Sequence, residues 1–122
     1  MEKSKIKNWN VYYVNYDPVR KGEFGGGPHL AVVLKESDDG HTFWTVPLTS
    51  KGGRRHLVDL GFLKCLPWRL RRVKSYAVVT QARAISPSRI REVYDKGKPV
   101  DIVLPEGRLK KLKCAIREEL CF

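Results

Sequence analysis

Three kinds of side chain in this sequence could move protons or hold a phosphate. They are the imidazoles of His29, His41 and His56, the hydroxyl pair Thr49-Ser50, and a dense set of Lys and Arg cations. His29 stands where a glycine-rich stretch meets an apolar run, and Thr49-Ser50 where another apolar run meets Lys51-Gly52-Gly53. Functional groups are commonly presented at such strand ends beside loops. Imidazole exchanges protons near neutral pH, and hydroxyls or cations stabilise charge building on phosphoryl oxygens. Cleavage of RNA by its own 2′-hydroxyl needs little else: a group to take a proton, one to give a proton to the leaving 5′-oxygen, and donors around the phosphorus. Each residue also has a plainer reading. A histidine before a strand is commonly structural, and Thr-Ser before Lys-Gly-Gly is good turn chemistry. His41 follows Asp39-Gly40 at a hairpin and faces solvent on this reading, and His56 beside Arg55 is a phosphate contact or simply exposed.

Other chemistries lack their motifs. Gly25-Gly26-Gly27 has no GxxxxGK[ST] context and no GxGxxG opens a helix, so nucleotide binding is not expected. There is no HExxH and no dense carboxylate cluster, and Asp38-Asp39-Gly40 reads as a turn, so neither metal nor cofactor is expected. Cys65, Cys114 and Cys121 are odd in number and lack CxxC spacing, which points to reduced thiols rather than a disulfide scaffold or zinc site.

The cations are unevenly placed. Residues 1–50 carry six Lys/Arg against six Asp/Glu, whereas residues 51–74 carry eight against Asp59 alone. Of the formal charge of +11, much therefore sits in one segment. Concentrated positive charge draws polyanions by steering and counterion release. An acidic protein partner would answer it equally well.

These groups need a scaffold. Residues 10–17 read as a strand ended by Asp17-Pro18, and residues 20–28 as a loop that its glycines keep from packing. Residues 29–34 form a strand, 37–40 a hairpin turn and 41–49 the returning strand. A loop at 51–55, a weak strand at 56–60, a long strand at 75–86 and a turn from Pro87 to Arg91 follow. From Glu106 the chain reads as an amphipathic helix, with Leu109, Leu112, Ile116 and Leu120 on one side and Lys110, Lys111, Lys113 and Arg117 on the other. At 122 residues this is one domain, residues 1–122, mainly β with a terminal helix. No apolar run approaches the ~20 residues that span a bilayer, so the expectation is a cytoplasmic chain with no membrane partner.

The order of several short motifs resembles a known family. Tyr16-Asp17-Pro18 is followed by Lys21-Gly22-Glu23 and glycines, then Ala31-Val32-Val33-Leu34, Val46-Pro47-Leu48-Thr49-Ser50 and Gln81-Ala82-Arg83-Ala84-Ile85. Over about Val11–Arg89 this resembles the MazF/PemK/Kid toxins of type II toxin–antitoxin systems. The resemblance implies a small SH3-like barrel, a homodimer, and an endoribonuclease that cuts single-stranded RNA such as mRNA without a metal. It implies a 2′,3′-cyclic phosphate and a 5′-hydroxyl as products, and an acidic cognate antitoxin. Thr49 falls on the family's catalytic threonine and Ser50 on the adjacent hydroxyl; Gln81 matches the glutamine beside the RNA groove, with Arg83 on the same strand, and Glu23 lies in the flexible loop. The family's Arg-Pro before the Val-rich strand is absent: His29 and Leu30 stand there, and Thr80 replaces an acidic residue before the glutamine. On this reading His29 is general acid or base, Thr49 and Ser50 hold the scissile phosphate, and Glu23, Arg54, Arg55, His56, Gln81 and Arg83 bind RNA. Two alternatives stand beside it: a non-catalytic RNA- or protein-binding barrel, and a toxin directed at DNA gyrase.

Overall fold

A run of apolar residues in a strand implies a packed layer on each of its faces. Residues 31–34 are such a run, and the computed structural model, which describes residues 1–17, 27–53 and 57–120, puts them between two cores. The described strands are β1 (Val11–Asn15), β2 (Pro28–Glu36), β3 (Phe43–Thr49), β4 (Leu57–Phe62), β5 (Lys74–Val78), β6 (Arg83–Ile85), β7 (Ile90–Arg91), β8 (Val93–Asp95) and β9 (Lys98–Val100). One helix, α1 (Glu106–Leu120), follows. The main sheet is open and antiparallel, ordered β4-β5-β3-β2-β1-β7, with β6 also paired to β3; β8 and β9 form a separate hairpin.

Strand alternation sorts β2 cleanly. Val32 and Leu34 enter the larger core with Val46, Leu48, Leu60 and Ile102, while Ala31 and Val33 enter a smaller one with Tyr16, Phe43 and Ile85. The helix covers the larger core through Leu112 and Ile116, as its periodicity predicts, with Leu109 and Leu120 packed beside them. Lys111 Nζ donates to the Asp59 carbonyl at 2.6 Å, and Lys113 lies 4.7 Å from the Trp9 ring centre. The turn at 37–40 forms as expected: Ser37 N–H donates to the Thr42 carbonyl, and Gly40 takes φ 71°.

The expected long strand at 75–86 is divided. Ala77 opposes Leu48 and Arg83 opposes Thr45, so six steps of chain lie against three steps of β3. A 3₁₀ turn at Val79–Gln81 takes the surplus, and it drops Val79 into the larger core. Gln81 and Arg83 therefore do not share a strand. Strands β7, β8 and β9 were not expected from the sequence; the β8–β9 hairpin turns through Lys96 and Gly97, both at positive φ. Residues 61–73 end β4 and then make a 3₁₀ turn, Trp68–Leu70, entered from Pro67.

Candidate functional site

The register of β2 on β3 pairs Ala31 with Pro47 and Val32 with Val46. Continued toward the strand ends, it brings His29 level with Thr49. Strand pairing thus joins residues twenty positions apart at one end of the sheet. His29 is half-buried and opposes Val14 of β1 on its other side.

His29, Thr49 and Ser50 line one hollow of about 320 Å³. Lys51 and Ser75 join them, and the floor is apolar, with Leu30, Leu48, Leu66 and Leu70. An apolar floor under a few polar groups lowers the effective dielectric, so each charge or hydroxyl acts more strongly than it would in open water. Thr49 Oγ1 accepts a hydrogen bond from Lys51 N–H at 3.2 Å. Its oxygen is thus engaged on one side and its own proton is available to donate. Ser50 is exposed at the rim.

The other expected site residues fall elsewhere. Arg83 Nη1 donates to the Tyr16 carbonyl at 3.2 Å, and Arg89 Nη1 to the Asp17 carbonyl at 2.7 Å. Asp17 Oδ2 accepts from Gly27 N–H at 2.8 Å. Together these bonds pin the chain on either side of residues 18–26. Neither Gln81 nor Arg83 lines the hollow that holds His29. Glu23, Arg54, Arg55 and His56 lie outside the described residues, as does Cys121. The expected solvent-facing position of His41 is observed.

The basic segment is used in more than one way. Lys51 faces the hollow, but Arg71 Nε donates to the Leu66 carbonyl at 2.9 Å and so ties down its own loop. Arg72 stacks 3.8 Å over the ring of exposed Trp68, and Lys74 lies 3.9 Å from Asp59. Tyr13 and Ser75 are lining residues that sequence reasoning missed. Alternation along residues 10–17 could have found Tyr13, which opposes Leu30; Ser75 reaches the hollow through the β3–β5 pairing, in which Thr49 opposes Tyr76. Among the described residues no three His, Cys, Asp or Glu side chains group as a metal site would. No helix among them is long and apolar enough to cross a membrane.

Residues 7–120 match a family described as PemK-like, MazF-like toxin of type II toxin–antitoxin system. The crystal structure of MazF (Form-I) from Deinococcus radiodurans aligns with 96% of this chain and 97% of its own, with a TM-score of 0.65 and 19% identity. At that identity the likeness is one of fold. No curated protein matches the chain.

Proposed function

This chain belongs to the PemK-like, MazF-like toxins of type II toxin–antitoxin systems, and on that premise we propose that it is an endoribonuclease cutting single-stranded RNA in the cytoplasm. The observation that carries the reading is the shared hollow of His29, Thr49, Ser50 and Lys51. In the reaction, the ribose 2′-oxygen attacks the adjacent phosphorus and loses its proton, and the bond from phosphorus to the 5′-oxygen breaks. The 5′-oxygen takes up a proton, leaving a 2′,3′-cyclic phosphate and a 5′-hydroxyl.

His29 moves a proton at one end of this displacement, as base toward the 2′-hydroxyl or as acid toward the 5′-oxygen. Thr49 and Ser50 donate to the non-bridging oxygens, and the Lys51 ammonium offsets their growing charge. Protein groups alone supply each of these steps. The functional unit is a homodimer, and an acidic antitoxin covers the cationic face; the formal charge of +11 suits both that partner and RNA.

Cleavage of an mRNA fragment in EDTA tests the proposal. Wild type is expected to cut and to leave a cyclic phosphate identifiable by mass. His29→Ala should be slower by about 10²–10⁴-fold, the usual worth of a positioned acid or base. Loss of activity in chelator, or full activity in His29→Ala, would refute the mechanism. RNA bound but never cut would favour the non-catalytic module.

A further inference from the structure

The hollow around His29 does not end at its own side chains. Tyr13 and Pro28 line it and also line a neighbouring hollow of about 560 Å³, a volume typical of ligand sites. The walls of this second hollow include Arg69 from the 68–70 turn, Arg91 from β7, and Glu92 and Tyr94 leading into the β8–β9 hairpin. Tyr13 directly opposes Arg91 in the β1–β7 pair, so the two side chains are cross-strand neighbours. Both guanidinium groups are exposed, and among the described residues neither is tied by an ion pair or hydrogen bond. Tyr94 is 56% exposed, a large ring left in water on a short, tightly turned hairpin.

We propose that this second hollow is a subsite for nucleotides flanking the scissile phosphate, a step that rests on RNA being the ligand of the first hollow. One base stacks on Tyr94, Arg69 and Arg91 hold backbone phosphates, and the Glu92 carboxylate accepts from an exocyclic base amine. An aromatic platform between unpaired cations is the usual arrangement for holding single strands, because every base offers a π-face and every link a charge. Tyr13, common to both hollows, marks where the strand passes from one to the other.

The test is binding of fully 2′-O-methylated RNA, which cannot be cut, to the whole chain by fluorescence anisotropy. Lengthening the oligonucleotide from about four to about ten nucleotides should tighten binding roughly tenfold in wild type. Tyr94→Ala should lose that gain, while Tyr94→Phe, which keeps the ring, should retain it. The double variant R69A/R91A should flatten the slope of log affinity against log salt by about 1.4, for two phosphates released. A gain that survives in both Tyr94→Ala and R69A/R91A would overturn the proposal, as would no gain on lengthening. So would sedimentation showing that Tyr94→Ala splits a dimer, which would assign the hollow to a second copy. Failure of the nuclease reading shows separately, as uncut RNA in the cleavage assay.

Discussion

Thr49 lines the hollow, and its hydroxyl, which accepts the Lys51 N–H, keeps its own proton free to donate. Replacing it by alanine removes a donor that a phosphorane would use, so kcat of Thr49→Ala should fall by about 10²–10³-fold, with Thr49→Ser recovering most of it. Steady-state cleavage kinetics check this; a change confined to KM would mean that Thr49 only binds. A second hydroxyl chain is structural. Tyr16 is fully buried, its OH lies 2.7 Å from Thr45 Oγ1, and Thr45 in turn donates to the Arg83 carbonyl at 3.1 Å. The Thr45 proton is thus committed, and Tyr16 must be the donor. Burial pushes the Tyr16 phenol above its ordinary value, more than the Thr45 bond and Arg83 bring it down. A folded-state pKa above the unfolded one, which is about 10, stabilises the fold below that pH and loses its contribution as pH rises past it. Urea melts of Tyr16→Phe should therefore show a cost of about 1 kcal/mol at neutral pH and a shallower alkaline loss than wild type. Equal alkaline slopes would mean that Tyr16 keeps its proton in neither state or both.

At the scale of elements, α1 holds the larger core shut from one side. Leu112 is completely buried in it, whereas Lys111, the next residue back, makes an exposed bond to the Asp59 carbonyl. Leu112→Ala should cost about 2–5 kcal/mol through lost burial and the cavity left behind. Lys111→Ala should cost about 1 kcal/mol or less, since solvent competes for an exposed bond. Chemical denaturation distinguishes the two, and comparable losses would show that the helix is held by its rim rather than its apolar face. β3 has the harder task. Its first half pairs with β6 and its second with β5, so the 79–81 turn between them is a consequence of register.

For the molecule as a whole, the two free thiols among the described residues report integrity. Cys114 is exposed on α1, while Cys65 is half-buried against the larger core, and burial raises its pKa. Less thiolate and less access both slow its alkylation. Per-residue labelling by mass spectrometry at neutral pH should show Cys114 reacting well before Cys65, with Cys65 catching up as urea unfolds the chain. Equal rates in the native protein would mean that the 61–73 segment opens readily. That matters because Leu66 and Leu70 of this segment floor the hollow at Thr49.

Periodicity and composition pointed to the β-rich class and to the terminal helix with its buried Leu112 and Ile116, because these depend on local patterns that any fold of the chain must satisfy, while the resemblance to the family rested on the order of its short motifs. The strand-end positions of His29 and Thr49 were legible for the same reason. What alternation could not reveal is which strand lies beside which. The break at 79–81, the pinning of Tyr16 by Arg83, the entry of Ser75 into the hollow, and the second hollow beyond Tyr13 all follow from pairings between residues far apart in sequence. Such pairings are chosen by the joint burial of two cores, an energy that belongs to no single segment, and only the tertiary structure expresses it.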